Sequence, residues 1–193
     1  MKIGIDIDDT ITCMSEIYYS QMQKWYLENE DGNVNNSFFQ SKDIYNCLED
    51  FSSFWDKFVE YKIFNVNIRD GAREVIDKLI SEGHEIYIIT ARSNRDSENY
   101  IERSKNWLDK NDIHYKEAHF NSKGKRQKMI DLGIDVMIDD SKDVMDNAID
   151  SGVKGIIMNT FFNTDYNKCN RAYTWYDVYY YINEYQKELE QKA

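Results

Sequence analysis

The chain has 193 residues, a net charge of −11 and 41% hydrophobic residues, enough for one core domain plus an insertion. That acidity argues against a duplex nucleic-acid binder, whose affinity rests on neutralising phosphates with Lys and Arg. No apolar run nears the roughly 18 residues that span a bilayer, so the cytoplasm is the expected compartment.

The first element is Ile3-Gly4-Ile5-Asp6-Ile7-Asp8-Asp9-Thr10. Its β-branched Ile3, Ile5 and Ile7 predict a short buried strand. Asp6, Asp8 and Asp9 crowd the strand's end, and like charges that close need a cation or shared protons. Ile17, Tyr18, Met22, Trp25 and Tyr26 then keep a helical spacing, repeated by Ile44, Tyr45, Leu48 and Phe51. Phe54, Trp55, Phe58, Val59 and Ile63 predict a third helix, with Ser52 or Ser53 as its N-cap. Residues 14–68 therefore read as a small helical insertion, and residues 1–13 with 69–193 as the core.

From Asp70 onward the pattern changes. Ala72, Val75, Ile76, Leu79 and Ile80 predict a helix ended by Gly83. Glu85 to Thr90 reads as a buried strand, Asn94 to Lys110 as a helix, His114 to Phe120 as a strand and Lys125 to Leu132 as a short helix. Ile134 to Ile138 is a strand that runs into Asp139-Asp140-Ser141, where an acidic residue could cap the next helix. That helix carries Val144, Met145, Ala148 and Ile149 and closes at Gly152. Val153 to Met158 is a further strand, and Val178, Tyr181, Ile182, Tyr185 and Leu189 mark a closing helix. Strands alternating with helices at this length imply an α/β core, a parallel sheet covered on both faces. In such sheets ligands bind beyond the carboxyl ends of the strands. Three of the predicted strands end in reactive residues: Asp6-Ile7-Asp8, Thr90, and Asp139-Asp140.

The cysteines, Cys13, Cys47 and Cys169, lie far apart and are expected to be reduced and structural. His84, His114 and His119 are scattered, so no Cys/His zinc cluster is expected.

Asp6-x-Asp8-x-Thr10 after an N-terminal strand resembles the first motif of the haloacid dehalogenase (HAD) superfamily of phosphatases. The resemblance implies a Rossmann-like three-layer core with a helical cap inserted after the first strand. It also implies that Asp6 is the nucleophile and Asp8 the general acid/base, a division that splits one hard displacement into two easier ones. Ile88-Ile89-Thr90-Ala91-Arg92 resembles the second motif, whose Thr or Ser binds the phosphoryl group, with Ala91, Arg92 and Lys123 as further substrate contacts. The third motif is a single lysine, and Lys123, Lys125 and Lys128 all stand in the basic turn Ser122 to Lys128. Lys125 is favoured, since the family's lysine commonly opens the helix before the acidic strand. Met137-Ile138-Asp139-Asp140-Ser141 resembles the fourth motif. On that likeness Mg2+ is held by Asp6 and Asp139 side chains and the Asp8 carbonyl, with Asp140 binding through water. The acid at Asp8 also separates this chain from family members that keep long-lived aspartyl phosphates and carry threonine there.

The placement of the insertion, Asp70-Gly71-Ala72 and Thr90-Ala91-Arg92 together are similar to the 5′(3′)-deoxyribonucleotidases and their bacterial relatives. Asp165-Tyr166-Asn167, Arg171 and Trp175 add to the likeness. It implies a 5′-nucleotidase acting on (deoxy)nucleoside monophosphates, a small-molecule partner rather than a nucleic-acid polymer or a membrane. Phe38, Phe39, Trp55 and Phe58 are candidates for stacking a base, worth about 1–3 kcal/mol per base. The alternatives are a phosphatase of sugar phosphates or another small metabolite, and a HAD-like protein that binds phosphate ligands without turnover.

Overall fold

The computed structural model describes residues 1–15, 17, 20, 21, 24, 64–94 and 99–191. The chain divides into two compact units, Met1–Thr12 with Ile68–Ala193, and Cys13–Asn67. The expectations placed on residues 25–63, the two later helices of the insertion and the four candidate stacking residues among them, lie outside the described residues.

The larger unit is built on a six-stranded, all-parallel sheet in the order β3-β2-β1-β4-β5-β6. Its strands are β1 (Lys2–Ile5), β2 (Glu85–Ile89), β3 (Glu117–His119), β4 (Val136–Asp139), β5 (Lys154–Met158) and β6 (Asn170–Ala172). The helices between and after them are α1 (Ala72–Ser81), α2 (Tyr100–Lys110), α3 (Arg126–Leu132), α4 (Lys142–Asp150) and α5 (Trp175–Glu190).

Strand periodicity sends alternate side chains to opposite faces. Ile3, Ile5, Ile86, Ile88, Val136 and Ile138 share a cluster with α1, α2 and α5 residues. Tyr87, Ile89, Met137 and Ile157 face the other way, against α3 and α4. This gives the three layers of a doubly wound α/β fold. Burying each isoleucine contributes about 1.5–3 kcal/mol, so β1 and β4 are anchored by their apolar stretches and can present charged residues at their ends. Gly4 belongs to the same packing: a Cβ there would lie 2.8 Å from the Met137 sulfur and 3.1 Å from Ile89 Cδ1.

Several boundaries differ from expectation for local reasons. The strand expected over His114 to Phe120 shortens to Glu117–His119. Helix α2 begins only at Tyr100, where Asn99 accepts from the Glu102 amide as N-cap. Helix α4 is capped by Ser141, whose hydroxyl accepts from Val144 N, so neither acid of the Asp139-Asp140 pair is its cap. Helix α5 opens at Trp175 behind a capping box of Thr174 and Asp177. The edge strand β6 was not expected, since Asn170-Arg171-Ala172 is too short and too polar to show a strand period.

Candidate active site

The strand order places β1 beside β4, with β2 and β3 continuing on one side and β5 and β6 on the other. This is the switch point of a doubly wound sheet, and the crevice for ligands lies there beyond the carboxyl ends. Asp6 follows β1 directly and its amide donates to Ile138 O at 3.0 Å, while Asp139 ends β4. The two carboxylates therefore emerge side by side, and both are buried.

Lys125 answers them. Its Nζ lies 2.5 Å from Asp6 Oδ1 and 2.6 Å from Asp139 Oδ2, with only 5% of the residue exposed. The backbone explains how it gets there. Gly124 and Lys125 both have left-handed φ, 68° and 55°, a region a lysine seldom enters. Asn147 Nδ2 holds the turn by donating to Gly124 O, and Lys125 O starts α3 by accepting from Met129 N. Of the three candidate lysines, Lys123 is exposed and Lys128 sits half-buried on α3.

Charge this concentrated shifts protonation. Burial pushes the Asp6 carboxyl up to about 7 against the opposing pull of Lys125, and Asp139 and Asp8 add to the rise. Burial, Asp139 and Asp6 likewise raise Asp140 well above the usual carboxylate range. Burial alone would lower the Lys125 ammonium, but Asp139 and Asp6 outweigh it, so its pKa is raised and it stays charged.

Asp8 meets a different cation. Arg92 Nε donates to Asp8 Oδ2 at 3.0 Å and Nη2 to Asp8 Oδ1 at 2.5 Å. Thr90, the buried residue after β2, accepts the Arg92 amide on its hydroxyl and gives its carbonyl to Ser122 N. Ala91 between them is exposed. The loop from Asp9 to Thr12 is pinned by Arg69, which donates to Asp9 O and Thr12 O, and by the fully buried Trp175, whose indole donates to Thr10 O.

On the far side of β4, buried Asn163 donates to Asp140 O at 2.7 Å and to Met158 O at 2.8 Å. Arg171 in turn donates to Asn163 Oδ1 and Asn163 O, both at 2.7 Å. Asn163 and Arg69 were not foreseen, because a lone Asn or Arg in a loop carries no periodic or motif signal. Arg171 and Trp175 had been singled out in the tail without a role.

The structure thus brings together Asp6, Asp139 and Lys125, with Asp140 beside them and Asp8 tied to Arg92. Asp6, Asp139 and Asp140 each offer a carboxylate oxygen, and these lie within 4.8 Å of one another. That donor set is all hard oxygen, which suits a hard divalent cation.

The fold is the one found in hydrolases of the HAD superfamily. The fold recurs in a predicted phosphatase from Clostridium acetobutylicum at 16% identity, TM-score 0.67, covering 95% of this chain and 98% of that one. It recurs in the HAD-hydrolase YfnB from Bacillus subtilis bound to magnesium at 14% identity, TM-score 0.56, covering 94% and 98%. The sequence narrows the class. Residues 1–188 match the model of the 5′ nucleotidase, deoxy (pyrimidine), cytosolic type C protein (NT5C) family, and the chain belongs to that family. A relative in Oceanobacillus iheyensis, named "Putative nucleotidase OB0422", is 28% identical over 189 residues, 92% of this chain and 96% of that protein. The chain is accordingly an enzyme of the phosphatase/nucleotidase type.

Proposed function

We propose that the protein hydrolyses nucleoside 5′-monophosphates through a phosphorylated Asp6, with Mg2+ as its cofactor. The observation that carries this reading is the Lys125 ammonium bridging Asp6 and Asp139. One buried cation between two carboxylates offsets the charge that an incoming phosphate adds, while leaving Asp6 at the end of its strand as a fixed nucleophile. Family membership supports the nucleotide, and the oxygen donor set supports the metal.

In this mechanism an Asp6 carboxylate oxygen attacks phosphorus and the bond to the leaving alkoxide breaks, with Asp8 donating the proton that the alkoxide takes. Water then attacks the phosphorus of the acyl phosphate, Asp8 accepts its proton, and the bond to Asp6 breaks to free inorganic phosphate. Thr90 and Lys125 hold the phosphoryl oxygens, with Ala91 and Lys123 as outlying contacts. Asp6, Asp139 and Asp140, with the Asp8 carbonyl, would hold Mg2+, which supplies a Lewis acid for the phosphoryl oxygens. The insertion selects the leaving group as a cap, with Phe38, Phe39, Trp55 and Phe58 as the candidates for stacking a base. No described helix is long and apolar enough to cross a membrane.

Phosphate release from a panel of ribo- and deoxyribonucleoside 5′-monophosphates, sugar phosphates and p-nitrophenyl phosphate tests the reading. The expected result is the highest kcat/KM on a nucleoside monophosphate, abolished by chelator and restored by Mg2+. Preference for a sugar phosphate would remove the nucleotide assignment, and full activity in excess chelator would remove the metal. No turnover on any member would leave a phosphate-binding protein.

A further inference from the structure

Resting on the reading of Asp8 as the general acid/base, we propose that Arg92 is a positioning residue that aims the Asp8 carboxylate at the leaving group. It is not a substrate contact, as its place beside Thr90 had suggested. The geometry is that of a fork on a carboxylate. Arg92 Nε reaches Asp8 Oδ1 at 3.2 Å and Oδ2 at 3.0 Å, and Nη2 reaches Oδ1 at 2.5 Å. Two parallel bonds from a planar guanidinium fix both the position and the plane of the acid, which a single donor does not do.

The guanidinium is itself held from behind. Arg92 Nη1 donates to Ser104 Oγ at 3.2 Å, and its carbon lies 6.0 Å from the centre of the Trp107 ring. Ser104 and Trp107 are both buried on α2, so a regular helix rather than a loop sets where the fork points. The Arg92 amide bonds Thr90 Oγ1 at 3.2 Å, and its carbonyl accepts from Asn121 N at 2.8 Å. The Arg92 side chain is 5% exposed and that of Asp8 25%. The acid thus stays partly open to solvent while the arginine bound to it is sealed off. A group buried in this way is placed to orient its neighbour and poorly placed to meet a ligand arriving from solvent.

A positioning role has a kinetic signature that a phosphate contact lacks. Displacing the acid by a fraction of an ångström slows protonation of a poor leaving group and leaves substrate binding alone. The experiment compares wild type, Arg92→Ala, Arg92→Lys, Asp8→Asn and Asp8→Asn with Arg92→Ala. Each is assayed on a nucleoside monophosphate, whose alkoxide needs a proton, and on p-nitrophenyl phosphate, whose phenolate does not. Arg92→Ala is expected to lower kcat/KM, which reports only the steps through phosphorylation of Asp6, about 30- to 100-fold on the alkyl ester and less than about fivefold on the aryl ester, with the inhibition constant of inorganic phosphate within about threefold. The second step, where Asp8 serves as base for both esters, slows alike for both. Arg92→Lys keeps the charge without the fork and is expected to recover under half of the loss on a logarithmic scale. In the Asp8→Asn background, Arg92→Ala should add less than about twofold.

A rise in KM with kcat preserved would overturn the proposal and make Arg92 a phosphate contact. Equal losses of kcat/KM on both esters would overturn it too, as a loss of structure; thermal melting reports that loss, and Arg92→Lys carries the comparison if the alanine variant does not fold. Should Asp8→Asn keep wild-type turnover on the alkyl ester, the general-acid reading falls and takes this inference with it. If Asp8→Asn is slowed but measurable and the full Arg92→Ala loss still adds to it, only the inference falls.

Discussion

Two cations flank the end of β4, where Asp139 and Asp140 stand, and they do different work. Lys125 reaches in from the α3 side and, among the described residues, bonds two carboxylates, Asp6 and Asp139. Arg171 approaches from the β6 side and, among the described residues, bonds neutral oxygens: Asn159 Oδ1, Asn163 Oδ1, Asn163 O and Tyr166 O. The first sits in a cluster whose charges are held away from water, where removing one partner strands the others. The second is a partly exposed fork satisfying carbonyls that water could otherwise reach, which fixes a loop without changing the charge of the site. Charge compensation and loop geometry are thus supplied from opposite sides of one strand.

The largest effect that this contrast predicts is on the charged side. Asp6→Asn is isosteric and keeps an oxygen for Lys125, so the fold should persist while turnover falls by at least about 10³-fold. A variant holding more than about a tenth of the wild-type rate, a loss of only ~1.4 kcal/mol, would deny Asp6 the role of nucleophile. Stability gives a second readout with a definite sign. Asp6 rises from 3.8 when unfolded to about 7 in the fold, so between those values the folded state holds a proton that the unfolded state has lost. The group's contribution is therefore full below about pH 4 and fades as pH rises through about 7. Melting of metal-free protein in chelator should show wild type losing stability relative to Asp6→Asn over that window. A difference that grew with pH would mean that Lys125 outweighs burial.

Lys125→Ala comes next. It leaves Asp6 and Asp139 buried without a counter-charge, so folding stability should drop by about 3–5 kcal/mol at neutral pH and turnover by at least ~10²-fold. Chemical denaturation of the single variants and of the double variant with Asp6→Asn makes the test specific. With one carboxylate neutralised, less is stranded, and the double variant should be more stable than the two separate losses add up to. Strict additivity would show that Lys125 acts by packing alone.

What could be read beforehand follows the same division. The apolar runs of β1, β2, β4 and β5 and the helical spacing of α1 and α4 are local patterns, and they made the parallel α/β fold and the carboxyl-end convergence of Asp6, Thr90 and Asp139 legible. The choice among three lysines was open because it turns on backbone φ: Lys125 points inward through two successive left-handed residues, a conformation that no residue pattern in Ser122 to Lys128 encodes. The partners of Asp8 and Asp140 were out of reach for another reason. Arg92 lies 84 positions from Asp8, and Asn163 lies 23 from Asp140, and such pairings exist only once the sheet has formed.

Arg171 gives the smallest effect and the sharpest contrast with Lys125. Its four acceptors are neutral, so its removal strands no charge. Asn163 would still accept from Thr160 N and still donate to Asp140 O and Met158 O, which keeps the acidic loop attached to β5. The carbonyls of Asn163 and Tyr166 would turn to water, since Arg171 is only half-buried. Arg171→Ala should therefore cost about 1–3 kcal/mol of stability and less than about tenfold in kcat, with KM for Mg2+ and substrate changed little. Arg171→Lys should recover little of the stability, because one ammonium cannot serve four acceptors lying on two sides of a fork. If instead Arg171→Ala lost as much turnover as Lys125→Ala at unchanged stability, its charge would be reaching the carboxylates, and the two sides of β4 would be doing the same work after all.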